Sequence, residues 1–114
     1  MKQRLLVMNG QKLLQTEHAG EWKVDKVEKA VTIRPGIYNL YLAAPADQAR
    51  SHIGIVLHAD TEFVYQQVGK TFVRHERTRF DQVPTPGAPV SIRYQHNKAV
   101  VAAATVKLGR NLSR

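Results

Sequence analysis

Short runs in which apolar and polar residues alternate are the dominant pattern along the chain. From 53 to 57, for example, Ile53, Ile55 and Leu57 recur at every second position, which is the spacing of a strand that buries one face. Runs of this kind with turn signals between them are typical of an all-β protein. We predict eight strands, over 5–8, 11–16, 37–44, 52–58, 63–68, 71–74, 90–94 and 99–106.

Turn-forming residues stand between these runs. Asn9-Gly10 predicts a two-residue type I′ hairpin turn, because both residues tolerate the positive φ that this turn requires. Gly69 followed by Lys70 predicts a type II′ turn. Residues 17–21 are interpreted as a loop and 95–98 as a turn, while the prolines between 84 and 89 exclude regular structure there.

The segment 22–29 is ambiguous. The spacing of Val24 and Val27 is that of a helical turn, whereas Trp22 and Val24 alternate as in a strand. We therefore expect either an irregular segment or one short helix. Further along, Phe80 is the apolar residue in the otherwise polar connection 76–81, and we expect it to anchor that connection to the core.

The predicted fold is all-β with at most one short helix, arranged as a small curled antiparallel sheet or an SH3-like barrel. A chain of 114 residues buries only about 65% of its unfolded surface, so a curled sheet gives a compact core without long open edges. We expect the hairpin and irregular segment 1–34 to belong to the same domain as a β domain over 35–106. Residues 107–114 are expected to form a basic, flexible tail.

Composition excludes several classes of protein. The sequence contains no cysteine, which excludes disulfides, thiolate metal sites and cysteine nucleophiles. No apolar run approaches the roughly 20 residues of a membrane span, and the run 5–8 is too short for the core of a signal peptide. We therefore expect a cytoplasmic protein with no membrane partner, in keeping with a reducing compartment.

Positive charge is concentrated late in the chain. The sequence has 17 basic and 9 acidic residues, and the segment 74–114 carries eight of the basic residues but only Glu76 and Asp81 as acids. A basic surface attracts polyanions, and the release of counterions from phosphates gives affinity that is independent of base sequence. Nucleic acid, in particular DNA, is therefore the first partner we consider. A basic surface that serves only solubility is the alternative.

Arginines form the densest cationic cluster, directly after the predicted strand 71–74. Their planar guanidinium groups suit phosphate, and nearby aromatic rings such as Tyr94 could stack on unpaired bases. The basic residues of the segment 107–114 could extend the same face. The alternative is that the cluster pairs with neighbouring carboxylates and that the rings are core residues. The candidate nucleic-acid-binding residues are Arg74, Arg77, Arg79, Arg93, Lys98 and Tyr65.

No catalytic motif stands out in the sequence. His58 and Asp60 share one side of a strand and, with His52 or His75, could contribute to a metal or acid–base site. A His58 that ends a strand and an Asp60 that caps the next turn explain the same pair more simply. No ligand spacing, nucleophile elbow or glycine-rich phosphate loop is present. We therefore assign no catalytic residue, metal or cofactor and expect a protein that is not an enzyme.

Trp22 is the only tryptophan in the sequence. Aromatic rings dominate the energetics of protein interfaces, so Trp22 is the candidate partner-binding residue. The alternative is that its large ring lies against the core together with Val24 and Val27, because burial of such a ring is a major stabilising contribution.

Several segments together carry a family resemblance. The block Leu57-His58-x-Asp60 is followed by Tyr65-Gln66-Gln67-x-Gly69, and it lies between Pro35-Gly36-Ile37-Tyr38 and Val90-Ser91-Ile92-Arg93-Tyr94. This arrangement resembles the KfrB-type domain of broad-host-range plasmid proteins over residues 35–101. The resemblance implies a role in plasmid maintenance or conjugative transfer and identifies no catalytic residue.

Two hypotheses of function follow from the charge and the resemblance. In the first, the protein is a non-enzymatic accessory factor that binds nucleic acid through its basic C-terminal face. In the second, it is an interaction module that docks onto a plasmid-encoded transfer or maintenance protein through an edge strand or the surface around Trp22.

Overall fold

The computed structural model describes residues 2–30 and 32–104, which form strands and short turns and, in that part of the chain, no α-helix. The all-β prediction is therefore confirmed. Two single 3₁₀ turns cover Leu40–Leu42 and Arg77–Arg79. The strands are β1 Gln3–Met8, β2 Gln11–His18, β3 Glu21–Lys29, β4 Gly36–Tyr38, β5 Ala44–Pro45, β6 His52–Ala59, β7 Phe63–Val68, β8 Thr71–Glu76, β9 Pro89–Gln95 and β10 Lys98–Ala103.

The strands form two sheets, and the chain divides after Ala44 into two compact units. The first sheet has the order β3-β2-β1-β4 and the second the order β10-β9-β6-β7-β8-β5. The pairs β1–β2, β2–β3 and β1–β4 are antiparallel, as are β6–β7, β7–β8, β6–β9 and β9–β10. Antiparallel sheets are one of the two expected architectures. Neither sheet closes into a barrel over the described residues.

The first hairpin forms as predicted. Asn9 and Gly10 have φ values of 52° and 74°, which is the backbone of a type I′ turn. Leu5 and Val7 on β1 are buried, whereas Leu6 between them points to the other, more exposed face of the sheet. Because residues 5–8 are all apolar, the sequence predicts the strand but not which of its faces is buried.

The loop expected over 17–21 is shorter than predicted, and the prediction for 22–29 is wrong. The expected loop is a two-residue turn in which Ala19 and Gly20 have φ values of 53° and 84°, and the expected irregular or helical segment is strand β3. The register shifts by one residue where Gln15 pairs with Val24 and Leu14 with Lys26, so Asp25 is an extra residue in β3. Because of this bulge, Val24 and Val27 lie on the same face of the strand although they are three residues apart. A helical turn has the same spacing, so the sequence pattern does not distinguish the two.

The strand expected over 37–44 is shorter than predicted. β4 ends at Tyr38, and the chain then makes the 3₁₀ turn Leu40–Leu42 before the two-residue strand β5. Leu40 is buried in this turn, while Tyr41 and Leu42 remain exposed. The apparent alternation therefore reflects one inward-facing side chain of a tight turn rather than the face of a strand.

The strands predicted over 52–58, 63–68, 71–74 and 90–94 form as β6 to β9 in the second unit. Gly69 opens the β7–β8 turn with a φ of 61°, and His96 and Asn97 form the β9–β10 turn with φ values of 53° and 66°. Pro89 is the first residue of β9, where a missing N–H is tolerated, so the predicted break ends one residue earlier. Phe80 is buried and anchors its connection as expected, in a core cluster with Val56, Val64, Val90 and Ile92.

Two further observations complete the second unit. The last predicted strand, 99–106, is observed as β10, which ends at Ala103, and residues 105–106 and the expected tail 107–114 lie outside the described residues. No helix in the described part of the chain has the length and apolar character needed to cross a membrane.

Candidate nucleic-acid interface

Arg74 and Tyr65 are directly opposite each other on β8 and β7. The guanidinium group of Arg74 lies over the ring of Phe63, with 5.5 Å from its carbon to the ring centroid. Tyr65 is 7% exposed and its ring stacks near His58, with 6.3 Å between centroids. Arg74 is therefore placed to reach a ligand on this side of the hairpin, whereas Tyr65 offers little ring area to a nucleic-acid base.

Arg77 and Arg79 lie in the 3₁₀ turn that follows β8. The Nη1 of Arg77 donates to the backbone carbonyl of Asp60 across 2.7 Å, which fixes its direction without cancelling its charge. The Nε of Arg79 donates to Oε1 of Glu76 across 3.0 Å, and this ion pair is partly solvated. Of these two arginines, Arg77 therefore keeps the less compensated positive charge.

An open cleft of about 350 Å³ brings part of the cationic cluster together. Two arginines, one carboxylate and two aromatic rings line it, so the cleft has a positive balance and flat apolar surfaces. Guanidinium groups form paired hydrogen bonds with phosphate oxygens, and aromatic rings stack on bases. The lining residues are Pro45, Ala46, Gln48, Phe63, Arg74, Glu76, Arg79 and Tyr94.

A buried hydrogen-bond network supports Tyr94 from behind the cleft. His75 is almost fully buried, and its Nδ1 lies 2.7 Å from the Tyr94 hydroxyl while its Nε2 lies 2.9 Å from Oε1 of Gln66. Burial, with a smaller contribution from nearby His52, lowers the pKa of His75 to about 4. Burial also raises the pKa of Tyr94 to about 12, against the opposing effect of Arg79. At neutral pH both groups are therefore uncharged, and the Tyr94 hydroxyl donates a hydrogen bond to Nδ1 of His75.

The two remaining cationic candidates lie elsewhere on the second sheet. Arg93 is exposed on β9 and Lys98 begins β10, and neither lines the cleft, although Tyr94, the residue after Arg93, does. The Nζ of Lys98 lies 3.4 Å from Oδ1 of Asp81, in an exposed ion pair. The structure thus gathers Arg74 and Arg79 in one cleft with Arg77 close in sequence, and it places Arg93 and Lys98 apart from them. The basic residues of the segment 107–114 lie outside the described residues.

Trp22 lies on β3, and its ring is partly exposed. The guanidinium carbon of Arg4 is 4.1 Å from its ring centroid, and the ring of Tyr41 is 6.2 Å away. Neither neighbour is visible in the sequence, because both come from segments far from Trp22 along the chain. The exposed side chains Val24, Val27 and Ile37 lie on the same side of the first sheet, as their strand pairings require.

His52 and Asp60 have structural partners. Oδ1 of Asp60 accepts hydrogen bonds from the backbone N–H groups of Glu62 and Phe63 at 2.8 and 2.7 Å, so Asp60 caps the turn as the sequence suggested. His52 bonds the backbone carbonyl of Asp47 across 2.9 Å. No group of three or more His, Asp or Glu side chains that could hold a metal is found among the residues the structure describes.

The buried network of Gln66 and His75 was missed by the sequence analysis. Both are polar residues at inward-facing positions of strands. On β7, Gln66 shares a face with Val64, and on β8 the residues paired with Val64 and Gln66 are His75 and Val73. A polar residue in an apolar register is the signal that could have identified them, because burial requires such a group to find a partner.

Comparison with known proteins assigns part of the cleft to a described family domain. The family model described as "KfrB Domain" matches residues 51–103, which include the cleft residues from Phe63 to Tyr94. The chain is also similar to "Protein TraB" of Escherichia coli, with 32% identity over 101 residues that span 86% of this chain and 69% of that protein. These two matches confirm the resemblance and support a role in plasmid maintenance or transfer. The chain belongs to the family of proteins that carry the KfrB domain.

Proposed function

We propose that this chain is a non-enzymatic accessory protein of plasmid maintenance or conjugative transfer, and that it binds nucleic acid through the arginines at its cleft. The observation that carries the proposal is the convergence of Arg74 and Arg79 on one cleft beside Tyr94 and Phe63. Arg77 adds a third guanidinium group, held by Asp60 at the end of the same hairpin.

The mechanism is phosphate binding with little reading of base edges. Arg74 and Arg79 neutralise backbone phosphates, and the partly exposed ring of Tyr94 gives a flat surface against which an unpaired base can stack. Glu76 holds Arg79 from one side, so its guanidinium group is oriented before a ligand arrives. DNA is the nucleic acid that a plasmid role favours.

Fluorescence anisotropy with labelled single-stranded and duplex DNA tests the proposal. The wild-type protein is expected to bind with an affinity that falls as salt rises, because each neutralised phosphate releases counterions. The double variant R74Q/R79Q should reduce the salt slope by roughly 1 to 2, at about 0.7 to 0.9 for each lost contact. R34Q removes one positive charge from an exposed site of the first unit and is the matched control for the single variants R74Q and R79Q.

Absence of binding at low salt and high micromolar protein would rule the proposal out. An equal loss in R34Q and in each of R74Q and R79Q would show attraction by net charge alone. R93Q and K98Q then test whether Arg93 on β9 and Lys98 on β10 also contribute to binding. If the binding face extends beyond the cleft to these two residues, both substitutions should weaken binding.

A second candidate function is an interaction module that docks onto a plasmid-encoded protein. The observation that favours it is the row of exposed apolar side chains near Trp22 on the first sheet, because such a patch is unusual on a surface that meets only water. A pull-down from plasmid-bearing cells after nuclease treatment separates the two functions. A plasmid-encoded protein retained by the wild type and lost with W22A favours docking, whereas loss of every partner on nuclease treatment favours nucleic-acid binding.

A further inference from the structure

The outer edge of β3 is a long, exposed strand edge. β3 spans nine residues and, within the described part of the chain, it pairs with β2 on one side and has no strand on the other. All of its residues except Trp22 are exposed. An edge of this length offers a ladder of backbone N–H and C=O groups to another strand, so what it can pair with depends on its side chains.

The bulge at Asp25 determines which side chains of β3 share a face. Val24 pairs with Gln15 and Val27 pairs with Leu13, so the two valines lie on the same face. Lys23 pairs with Thr16 and Glu28 pairs with Lys12, so these two lie together on the opposite face. In a regular strand, residues three apart point to opposite faces, and the extra residue is what aligns them here.

This alignment makes β3 complementary to a second copy of itself. When two strands pair antiparallel in one sheet, residues directly opposite each other must share a face. One register satisfies this rule and places Lys23 opposite Glu28, Asp25 opposite Lys26, and Val24 opposite Val27 of the second copy. Two-fold symmetry repeats each of these pairs, so opposite charges meet on both sides of the axis.

Registers shifted by two residues oppose like charges, and they also place Val24 opposite Asp25 or Lys26 opposite Val27, which lie on different faces. A shift in one direction places Lys23 opposite Lys26 and Glu21 opposite Glu28. A shift in the other direction places Asp25 opposite Glu28. Like charges directly opposite each other destabilise a strand pair, so the charge pattern selects one register and also disfavours strands of other sequence.

We propose that two copies of this chain associate by antiparallel pairing of their β3 strands in this register. The pairing joins two four-stranded sheets and extends the apolar row from Val27 of one copy to Val24 of the other. Lys12 and Lys26 hold the Glu28 carboxylate at 3.3 and 3.7 Å, so its position is set before the copies meet. β3 belongs to the first unit and the cleft residues to the second, and the association does not depend on nucleic-acid binding.

Sedimentation equilibrium of the full chain tests the pairing through charge reversal at the two-fold axis. In K26E, Asp25 of each copy faces a glutamate of the other, and in D25K, Lys26 of each copy faces a lysine of the other. Each variant alone is therefore expected to raise the dissociation constant of the dimer about tenfold or more. An equimolar mixture of K26E and D25K again places opposite charges together in a heterodimer. The mixture should therefore regain a dissociation constant within about threefold of the wild type.

The matched control is K70E, which reverses one charge in the β7–β8 turn and should leave the dimer unchanged. D25K also removes the hydrogen bond that Asp25 accepts from the Thr16 hydroxyl, so circular dichroism of each variant confirms that it is folded. A wild-type protein that stays monomeric at several hundred micromolar overturns the proposal. So does a mixture of folded variants that dimerises no better than each variant alone.

Discussion

His75 donates the N–H of its Nε2 to the side-chain oxygen of Gln66 across 2.9 Å in the core of the second unit. Gln66 presents this oxygen because its amide nitrogen faces the backbone carbonyls of His52, Gly54 and Val90 at 3.0, 3.2 and 3.2 Å. With the proton on Nε2, Nδ1 of His75 accepts from the Tyr94 hydroxyl. The backbone thus sets the orientation of Gln66, and Gln66 sets the tautomer of His75.

Replacement of Gln66 by leucine is expected to destabilise the protein by about 1 to 3 kcal/mol, because it leaves the buried N–H of His75 without its acceptor. Urea denaturation followed by circular dichroism measures the change in the free energy of unfolding. Q67L is the matched control, because Gln67 is the next residue along β7, points to the other face and is only partly buried. Equal destabilisation by both substitutions would contradict a structural role for the Gln66 amide.

The stability of the protein is expected to fall as the pH drops from about 6.5 to about 4 because of His75. Burial lowers the pKa of this residue to about 4 in the folded protein, whereas the unfolded chain has the ordinary value of 6.5. The unfolded state therefore binds the proton first, and the stabilisation that is complete above the unfolded pKa is lost as the pH falls through the folded pKa. Its upper limit is about 3 kcal/mol, since one pKa unit corresponds to about 1.4 kcal/mol.

Urea denaturation of the wild type, H75Q and H18Q at a series of pH values isolates this contribution. H75Q is less stable at neutral pH, but its stability should depend less on pH across the stated range. H18Q, at an exposed histidine that ends β2, should retain the wild-type dependence. Parallel pH profiles of the wild type and H75Q would show that His75 is not the group that titrates.

The sequence predicts the parts of this fold that depend on local chemistry. Asn9-Gly10 and Gly69 carry the positive φ values that their turns require, and those turns set the hairpins around them. The run 52–58 identifies β6 as a strand through its alternation and branched residues, but the face is not the expected one, since Ile53 is exposed while Gly54 and Val56 are buried. Turn chemistry and alternation are properties of a few adjacent residues, which is why they can be recognised without coordinates.

The remaining features depend on residues that are distant in sequence. The prediction for β3 is wrong because the bulge at Asp25 arises where the strand pairs with Leu14 and Gln15 of β2. A helical turn gives the same spacing of apolar residues, so the sequence alone does not reveal the strand. The sequence analysis anticipates the arginines of the cleft and the ring of Tyr94, but not the lining by Pro45, Ala46 and Gln48. Arg93 and Tyr94 are adjacent on β9 and point to opposite faces, so Tyr94 lines the cleft and Arg93 does not, which charge along the chain does not encode.

Replacement of Gly54 by alanine is expected to cost several kcal/mol and to prevent folding of the second unit if the strands cannot separate. A Cβ atom at this position would lie 1.7 Å from the backbone carbonyl oxygen of Gln67 on the paired strand β7. The neighbour is backbone rather than a flexible side chain, so β6 and β7 would have to move apart and lose ladder hydrogen bonds. I53A, at the exposed position beside it, is expected to change stability by about 1 kcal/mol or less. Similar urea midpoints for the two variants would contradict the close approach of the strands.

Replacement of Asp60 by alanine is expected to destabilise the β6–β7 turn by about 1 to 2 kcal/mol and to leave DNA binding unchanged. The side chain accepts the N–H groups of both Glu62 and Phe63, and alanine removes the acceptor for each. D60N keeps one side-chain oxygen and should lose less than half as much stability in urea denaturation. Because Arg77 bonds the backbone carbonyl of Asp60 rather than its carboxylate, its guanidinium group keeps its anchor in both variants. A loss of DNA affinity in folded D60N would instead assign the Asp60 carboxylate a direct role at the interface.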